Sequence, residues 1–328
     1  MIEHIKNILH IYRRPVKESR FKTLLAIIAI MVNLSVSAQQ IPISTIFVEN
    51  PFAFNPAVAG SDNGFKARIN SRMQWLGFGD GPFTNVLSGY GPHAVKNIGY
   101  GVNLIIDRTG PVSLLKANGG FASNFFITSD IRASLGLNLG IIQYRADGTQ
   151  ITLPDGSDND PKAPKTVMSN TKPDAGAGIY IYHHDWFVGI SAQQLFSSSL
   201  KLSSDGEYKT GDENRLKPHF FGYGGYRFTM VNNFLIEPSA LIRMVPSSPL
   251  QMDFCARVIY QQTFWGGISA RNTLESFDDL SLIFGYIHER RLCVSIAYDF
   301  SFAKIRKYTA GTVELVLGYN FDEIRKGR

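Results

Sequence analysis

Cysteine is nearly missing from this chain, with only Cys255 and Cys293 in 328 residues. The two fall on predicted strands ten and thirteen, which are not neighbours, whereas a disulfide needs Cα atoms within about 7 Å. Both read as small apolar packers. A run long enough for a membrane helix is missing too: Leu24 to Val36 spans 13 residues and is softened by Asn33, where a spanning helix needs roughly twenty. No internal repeat of fixed period is visible. Excess charge also disappears on inspection. The formal net charge is +6, but residues 1–38 hold six of the 33 basic and two of the 27 acidic side chains, leaving +2 for the remainder. That removes support for a nucleic-acid partner.

The first 38 residues read as an export signal. Lys6, Arg13, Arg14, Lys17, Arg20 and Lys22 precede the apolar stretch, and Val36-Ser37-Ala38 supplies a small-residue cleavage site. The basic part is longer than an export leader requires, which fits a start codon downstream of Met1. No Cys follows the apolar stretch, which argues against a lipoprotein anchor.

What the chain does have is alternation. Fourteen segments are predicted as strands: 66–74, 83–90, 97–107, 114–127, 130–145, 174–182, 185–194, 217–230, 234–245, 250–260, 264–273, 279–287, 291–300 and 312–321. In the fifth, Ala133, Leu135, Leu137, Leu139 and Ile141 share one face, opposite Arg132, Ser134, Gly136, Asn138 and Gly140. In the tenth, Leu250, Met252, Phe254, Ala256, Val258 and Tyr260 oppose Gln251, Asp253, Cys255 and Arg257. In the ninth, Phe234, Ile236, Pro238, Ala240 and Ile242 oppose Glu237, Ser239 and Arg243. A bilayer has no water to satisfy backbone N–H and C=O groups, so a sheet crosses it only when closed on itself.

A soluble sandwich alternates as well, and loop parity separates the two. Counting back from a periplasmic C-terminus, Ala146 to Pro173, Phe196 to Leu216, Trp75 to Pro82, Leu274 to Asp278 and Ser301 to Gly311 fall outside. Thr128-Ser129, His183-His184, Val231 to Asn233 and Gln261 to Thr263 fall inside as short turns. Trp75, Tyr100, Tyr144, Trp186, Phe228, Tyr260, Trp265, Tyr298 and Tyr319 stand near strand ends, as interfacial girdles require. The expected fold is all-β: a transmembrane antiparallel up-and-down β-barrel of about 14 strands in the outer membrane, with short periplasmic turns and longer extracellular loops. Residues 39–61 would be a periplasmic N-terminal segment, 62–321 the barrel and 322–328 a tail.

Catalytic motifs fail on their own terms. Gly189-Ile190-Ser191-Ala192-Gln193 and Gly267-Ile268-Ser269-Ala270-Arg271 lack the second glycine of a nucleophile elbow and sit mid-strand. His183-His184-Asp185 lies in a tight turn, where adjacent side chains usually point apart, so a solvated turn is expected over a metal site. Asp155 to Asp160 is acidic but lacks calcium-loop spacing and its terminal Glu. Gly222-Tyr223-Gly224-Gly225 lacks phosphate-loop spacing and reads as glycines alternating inward. No catalytic residue, metal site or cofactor is expected. The inward charges, Lys66, Arg68, Arg72, Glu237, Arg243, Asp253, Arg257, Arg271, Asp299 and Glu314, carry both signs. They fit a polar lumen that stiffens or plugs the barrel, and a selective pore is the alternative.

Three blocks near the start, Phe54-Asn55-Pro56-Ala57-Val58-Ala59-Gly60-Ser61, Arg72-Met73-Gln74-Trp75-Leu76-Gly77-Phe78 and Leu87-Ser88-Gly89-Tyr90-Gly91-Pro92, resemble the PorP/SprF family. Its members are outer-membrane proteins of type IX secretion and gliding motility. The likeness continues at Lys217 to Phe220, Pro238 to Arg243, Val245 to Asp253, Ala297 to Asp299 and Glu314 to Phe321. Gln39-Gln40-Ile41-Pro42 stands where the family has Q-D-P, and Gly311-Thr312-Val313-Glu314 where it has G-S-H-E. The resemblance implies a non-enzymatic barrel that supports secretion or surface attachment of a protein with a type IX C-terminal signal domain, such as a gliding adhesin. Periplasmic type IX components and outer-membrane lipid would be the other partners. The implied partner contacts are Phe54, Asn55, Pro56, Gly60, Arg72 and Trp75, although a plug or seal for the first strand is an equal reading of residues 54–61. A channel for small or hydrophobic solutes is the competing function.

Overall fold

The outward surface of this protein is oily and its interior is wet. On one strand, Leu137 is 64% exposed while its neighbour Asn138 is 6% exposed. That inversion is what a closed sheet in hydrocarbon demands. The computed structural model describes residues 44–150, 166–196, 216–274 and 276–323. Residues 1–38, expected to be an export signal, the acidic stretch Asp155 to Asp160 and most of the two longest connections lie outside the described residues.

Fourteen antiparallel strands form the wall: β1 Gly64–Met73, β2 Phe83–Pro92, β3 Ile98–Thr109, β4 Val112–Phe126, β5 Arg132–Asp147, β6 Val167–Tyr182 and β7 Trp186–Gln193. They continue as β8 His219–Tyr226 (extended by Phe228–Thr229), β9 Phe234–Met244, β10 Gln251–Tyr260, β11 Phe264–Thr273, β12 Phe277–His288, β13 Leu292–Ser301 and β14 Thr312–Glu323. Each strand pairs with the next in sequence, and β14 pairs with β1 through Arg72↔Glu314 and Ala67↔Tyr319, which closes the barrel.

Connections sort by end. The longer connections, Met73 to Phe83, Asp147 to Val167, Gln193 to His219 and Ser301 to Thr312, leave and rejoin the sheet at one end, and the other has only turns such as 183–185, 261–263 and 289–291. At this short-turn end, Gln261, Gln262, Glu289 and Arg290 all take positive φ, as the central residues of turns closed by Thr263 N to Tyr260 O and Arg291 N to His288 O, a backbone that matches strand twist. Outward aromatic pairs ring the same end: Phe234 with Tyr260 at 4.7 Å, Phe264 with Tyr286 at 5.0 Å, Tyr319 with Phe321 at 4.8 Å.

Several local expectations change. β6 starts at Val167 instead of residue 174, because β5 keeps pairing with it through Pro173↔Ile141 to Val167↔Asp147. The proline is tolerated because β7 joins β6 only from Ala177 onward, leaving its N side unpaired. The gap in β8 at Arg227 lies beside Pro238 of β9, which has no N–H to donate; pairing resumes at Ile236↔Phe228. Trp265 is not a girdle residue: it is 4% exposed and lies under Arg257, whose guanidinium carbon is 5.2 Å from the ring centroid. Tyr144 likewise packs inward beside Ile142 and Leu114. In β8 the alternation turns Gly222 and Gly224 outward with the exposed Phe220 and Tyr226, while Tyr223 and Gly225 face in. Cys255 and Cys293 are buried and free.

Candidate functional site, a plugged lumen

Residues 44–61 have no strand periodicity, and they lie inside the barrel as three short 3-10 turns: Phe47–Glu49, Pro51–Ala53 and Pro56–Val58. Ile46, Phe47, Phe52, Ala57, Val58 and Ala59 are all buried. The segment runs from Thr45, beside Arg72, Asp299 and Glu314 at the long-loop end, to Gly60, beside Gly99 and Asn124 at the short-turn end. Residues 44–61 are therefore not a periplasmic arm but a lumenal plug. An apolar, unpaired stretch gains more from the barrel's packed interior than from water.

Five consecutive strands are shaped to receive it. Gly99 and Gly101 on β3, Gly120 on β4, Gly136 on β5, Gly178 on β6 and Gly189 on β7 all face inward toward the plug. A Cβ on Gly136 would overlap the backbone of Ala57, one on Gly99 that of Ala59, and one on Gly178 the Asn55 amide. At Gly101 it would lie 2.7 Å from the Phe52 ring. Removing side chains from one wall lets plug backbone approach strand backbone closely.

Within the plug, Asn55 performs two tasks. Its Oδ1 accepts from Ala57 N at 2.9 Å, capping the turn that Pro56 opens. Its Nδ2 donates to the carbonyls of Ile179 and Ile190 at 3.1 and 3.4 Å, tying the turn to β6 and β7. The Phe54 carbonyl accepts from Ser191 Oγ at 2.7 Å and Gln193 Nε2 at 3.1 Å, so Ser191 is an anchor for the plug. Asn124 donates to the Ala59 carbonyl at 3.2 Å, and Asn50 to Asn70 and Ser88 at 2.9 and 3.0 Å. Phe52 stacks on Tyr90 at 4.8 Å, and Phe54 sits edge-on to Tyr223 at 5.0 Å.

The opposite wall, β9 through β14 and β1, holds the plug by charge. At the long-loop end, Arg72 pairs with Asp299 at 2.6 Å and Glu314 at 3.0 Å and donates to Thr45 Oγ1 at 2.8 Å. Thr45 in turn donates to both carboxylates, and Ser44 also reaches Glu314. Asp253 and Asp279 flank Arg271 at 2.6 and 3.3 Å, and Arg243 contacts Gln251. Lower down, Arg257 bridges Glu237 at 2.8 Å and the plug's Glu49 at 2.5 Å. Arg68 donates to the Glu49 carbonyl at 3.1 Å. Burial alone would raise the Glu49 carboxyl, but the guanidiniums of Arg257 and Arg68 outweigh it and hold the group below the ordinary glutamate range. A separate buried pair, Lys116 with Asp174 at 2.7 Å, links β4 to β6.

Of the ten inward charges expected from the sequence, Arg68, Arg72, Glu237, Arg243, Asp253, Arg271, Asp299 and Glu314 are buried, Arg257 is nearly so, and Lys66 is partly exposed beside Asp62. The partner-contact residues divide. Phe54, Asn55, Pro56, Gly60 and Arg72 are turned against the chain's own wall and offer nothing to a partner while the plug is seated. Only Trp75 lies at the long-loop mouth, edge-on to the exposed Phe78 at 6.4 Å, where residues 74–82 lean on 302–311 through Leu76 N to Gly311 O at 2.8 Å. Sequence reasoning missed Thr45, Glu49 and the glycine wall. The inward glycines were the available signal, since they recur at one parity on five neighbouring strands.

Ser269 is buried in the lumen on β11, in register with Cys255 and Ser281. His184 Nδ1 sits 2.8 Å and His183 Nδ1 3.6 Å from the Asp185 carboxylate, so these side chains converge where divergence was expected. Among the described residues no three His, Cys, Asp or Glu side chains gather as a metal site. Two cavities flank the plug. One of about 60 Å³ is lined by Phe47, Phe54, Ile105, Phe221 and Leu241. The other, about 250 Å³, is a polar vestibule at the short-turn end.

Among solved structures, the chain is similar to the outer membrane protein Omp33 of Acinetobacter baumannii, with 10% identity, 79% of this chain and 98% of that one covered, and a TM-score of 0.45. It is also similar to a FadL homologue of Pseudomonas aeruginosa (11% identity, 82% and 92% covered, TM-score 0.48) and to the toluene transporter TodX of P. putida (9% identity, 83% and 93% covered, TM-score 0.47). No curated relative matches the sequence. Residues 36–319, nearly the whole barrel and its plug, match the type IX secretion system membrane protein PorP/SprF, so this outer-membrane barrel belongs to the PorP/SprF family.

Proposed function

We propose that this protein is a non-enzymatic accessory barrel of the type IX system, which supports secretion or surface attachment of a partner protein by docking it. The partner would be a secreted protein with a type IX C-terminal signal domain, such as a gliding adhesin, with periplasmic type IX components at the other end. In this reading the long-loop end faces the outside, and the cargo meets residues 146–173, 196–216 and the loop that carries Trp75. The observation that supports docking over solute transport is the plug: it spans the lumen from Thr45 to Gly60, packed on a glycine wall and bolted to Arg72 and Arg257. A route for solutes would have to break those contacts.

Deleting the gene and assaying the culture medium and cell surface tests the proposal. Loss or release of at least one type IX cargo is expected. Unchanged secretion and display of every such cargo would overturn it.

A further inference from the structure

The vestibule at the short-turn end lies away from the proposed cargo contacts, which sit at the opposite mouth, and shares Arg257 with the seat of the plug. Its charged wall presents three guanidiniums, Arg68, Arg227 and Arg257, against two carboxylates, Glu49 and Glu237. Lys66 and Asp62 cancel each other through a 2.6 Å pair. Glu49 contacts Arg257 at 2.5 Å, and Glu237 is shared between Arg257 at 2.8 Å and Arg227 at 2.7 Å. Arg68 is left over. Its guanidinium donates to neutral oxygens alone: Glu49 O at 3.1 Å, Ala67 O at 2.9 Å, Tyr319 O at 3.4 Å and Asn320 Oδ1 at 2.7 Å.

Among the described residues no carboxylate lies within ion-pair distance of Arg68, although the residue is only 4% exposed. The Glu49 carboxylate, on which Arg68 acts through space, is in direct contact with Arg257 instead, and a buried cation with no anion of its own is expensive. The cavity beside it holds about 250 Å³ and reaches solvent where the Arg227 side chain is 40% exposed. Facing the charges is an aromatic ladder: Tyr182 stacks on Tyr180 at 5.1 Å, and Tyr180 on Tyr223 at 5.7 Å.

We propose that this vestibule binds a singly charged carboxylate borne on an aromatic or apolar body, the carboxylate completing the charge of the three guanidiniums and the body lying on the tyrosine ladder. The same chemistry is offered by a free small acid and by the C-terminus of a peptide chain.

Calorimetry on the purified, full-length barrel in detergent tests this with four probes: benzoate, benzamide, N-acetylphenylalanine and its amide. Binding of the acids at least about tenfold tighter than their neutral amides is expected, because hydrogen bonds to a charged group are roughly twice as strong as neutral ones. Tighter binding of N-acetylphenylalanine than of benzoate identifies a chain terminus as the source, and the reverse order a free acid. Arg68→Met should abolish binding. Two further variants keep the test informative if that one misfolds: Arg227→Gln should weaken the acids about tenfold, and Glu237→Gln should tighten them by a similar factor. Acids and amides binding alike, no binding at all, or a Glu237→Gln variant that does not bind acids more tightly would each overturn the proposal.

Discussion

At Gly136 one methyl group has nowhere to go, because the backbone of Ala57 already occupies its place. Gly136→Val should therefore destabilise the seated plug by about 1–3 kcal/mol, the usual cost of overpacking. Gly222→Ala is the matched control: it points outward, with nothing within 4 Å of the added atom. Unfolding temperatures read from semi-native gels should fall for the first variant and stay level for the second. Glu49 makes the seat of the plug sensitive to acid. Its carboxyl is held below the ordinary value of 4.5 in the folded state. Its contribution to stability is thus complete above that value and is lost as pH falls through the lower, folded one. Acid should loosen the plug of the native chain, and Glu49→Gln, already lacking the charge, should show a flatter unfolding temperature as pH falls below the ordinary glutamate value.

Among whole strands, the fate of each side chain depends on which side of the sheet it takes. Leu137, facing lipid on β5, should tolerate Ile or Phe, whereas Leu137→Arg should cost about 2–4 kcal/mol near the bilayer midplane. Denaturant titration in lipid vesicles measures the difference. This exposure rule is also why the wall was legible from the residues alone: Leu135, Leu137 and Leu139 against Ser134, Gly136 and Asn138 can satisfy oil and water in one register only. The start of β6 was not legible, since Lys172-Pro173-Asp174 has loop composition, and only the bare edge next to Pro173 lets it remain a strand. Trp265 resembled its interfacial neighbours in composition and differs by parity alone. The plug was hidden for another reason. Nothing periodic marks residues 44–61, and their place is set by glycines between about forty and 130 positions away in sequence, whose shared purpose emerges only when β3 to β7 lie side by side.

Taken together, the described strands form a closed cylinder with residues 44–61 inside it. Excising residues 44–61 should leave the strand pairing intact, because every strand is satisfied by its neighbours. It should also convert a closed protein into one that passes ions. Recordings in planar bilayers would check this: steady current steps from the shortened barrel and near silence from the intact one are expected, and equal traces would refute the sealing role of the segment. The shortened chain should further insert into vesicles more slowly than the intact chain, as followed by gel mobility over time. The reason lies in the order of synthesis. Residues 44–61 precede every strand in the chain and are enclosed by the strands that follow, so Thr45, Glu49 and Asn55 can offer their polar groups before the sheet is complete. Each arriving hairpin can then be wound onto a mandrel that has been present since the chain first emerged, and the cylinder never has to shut around an empty bore.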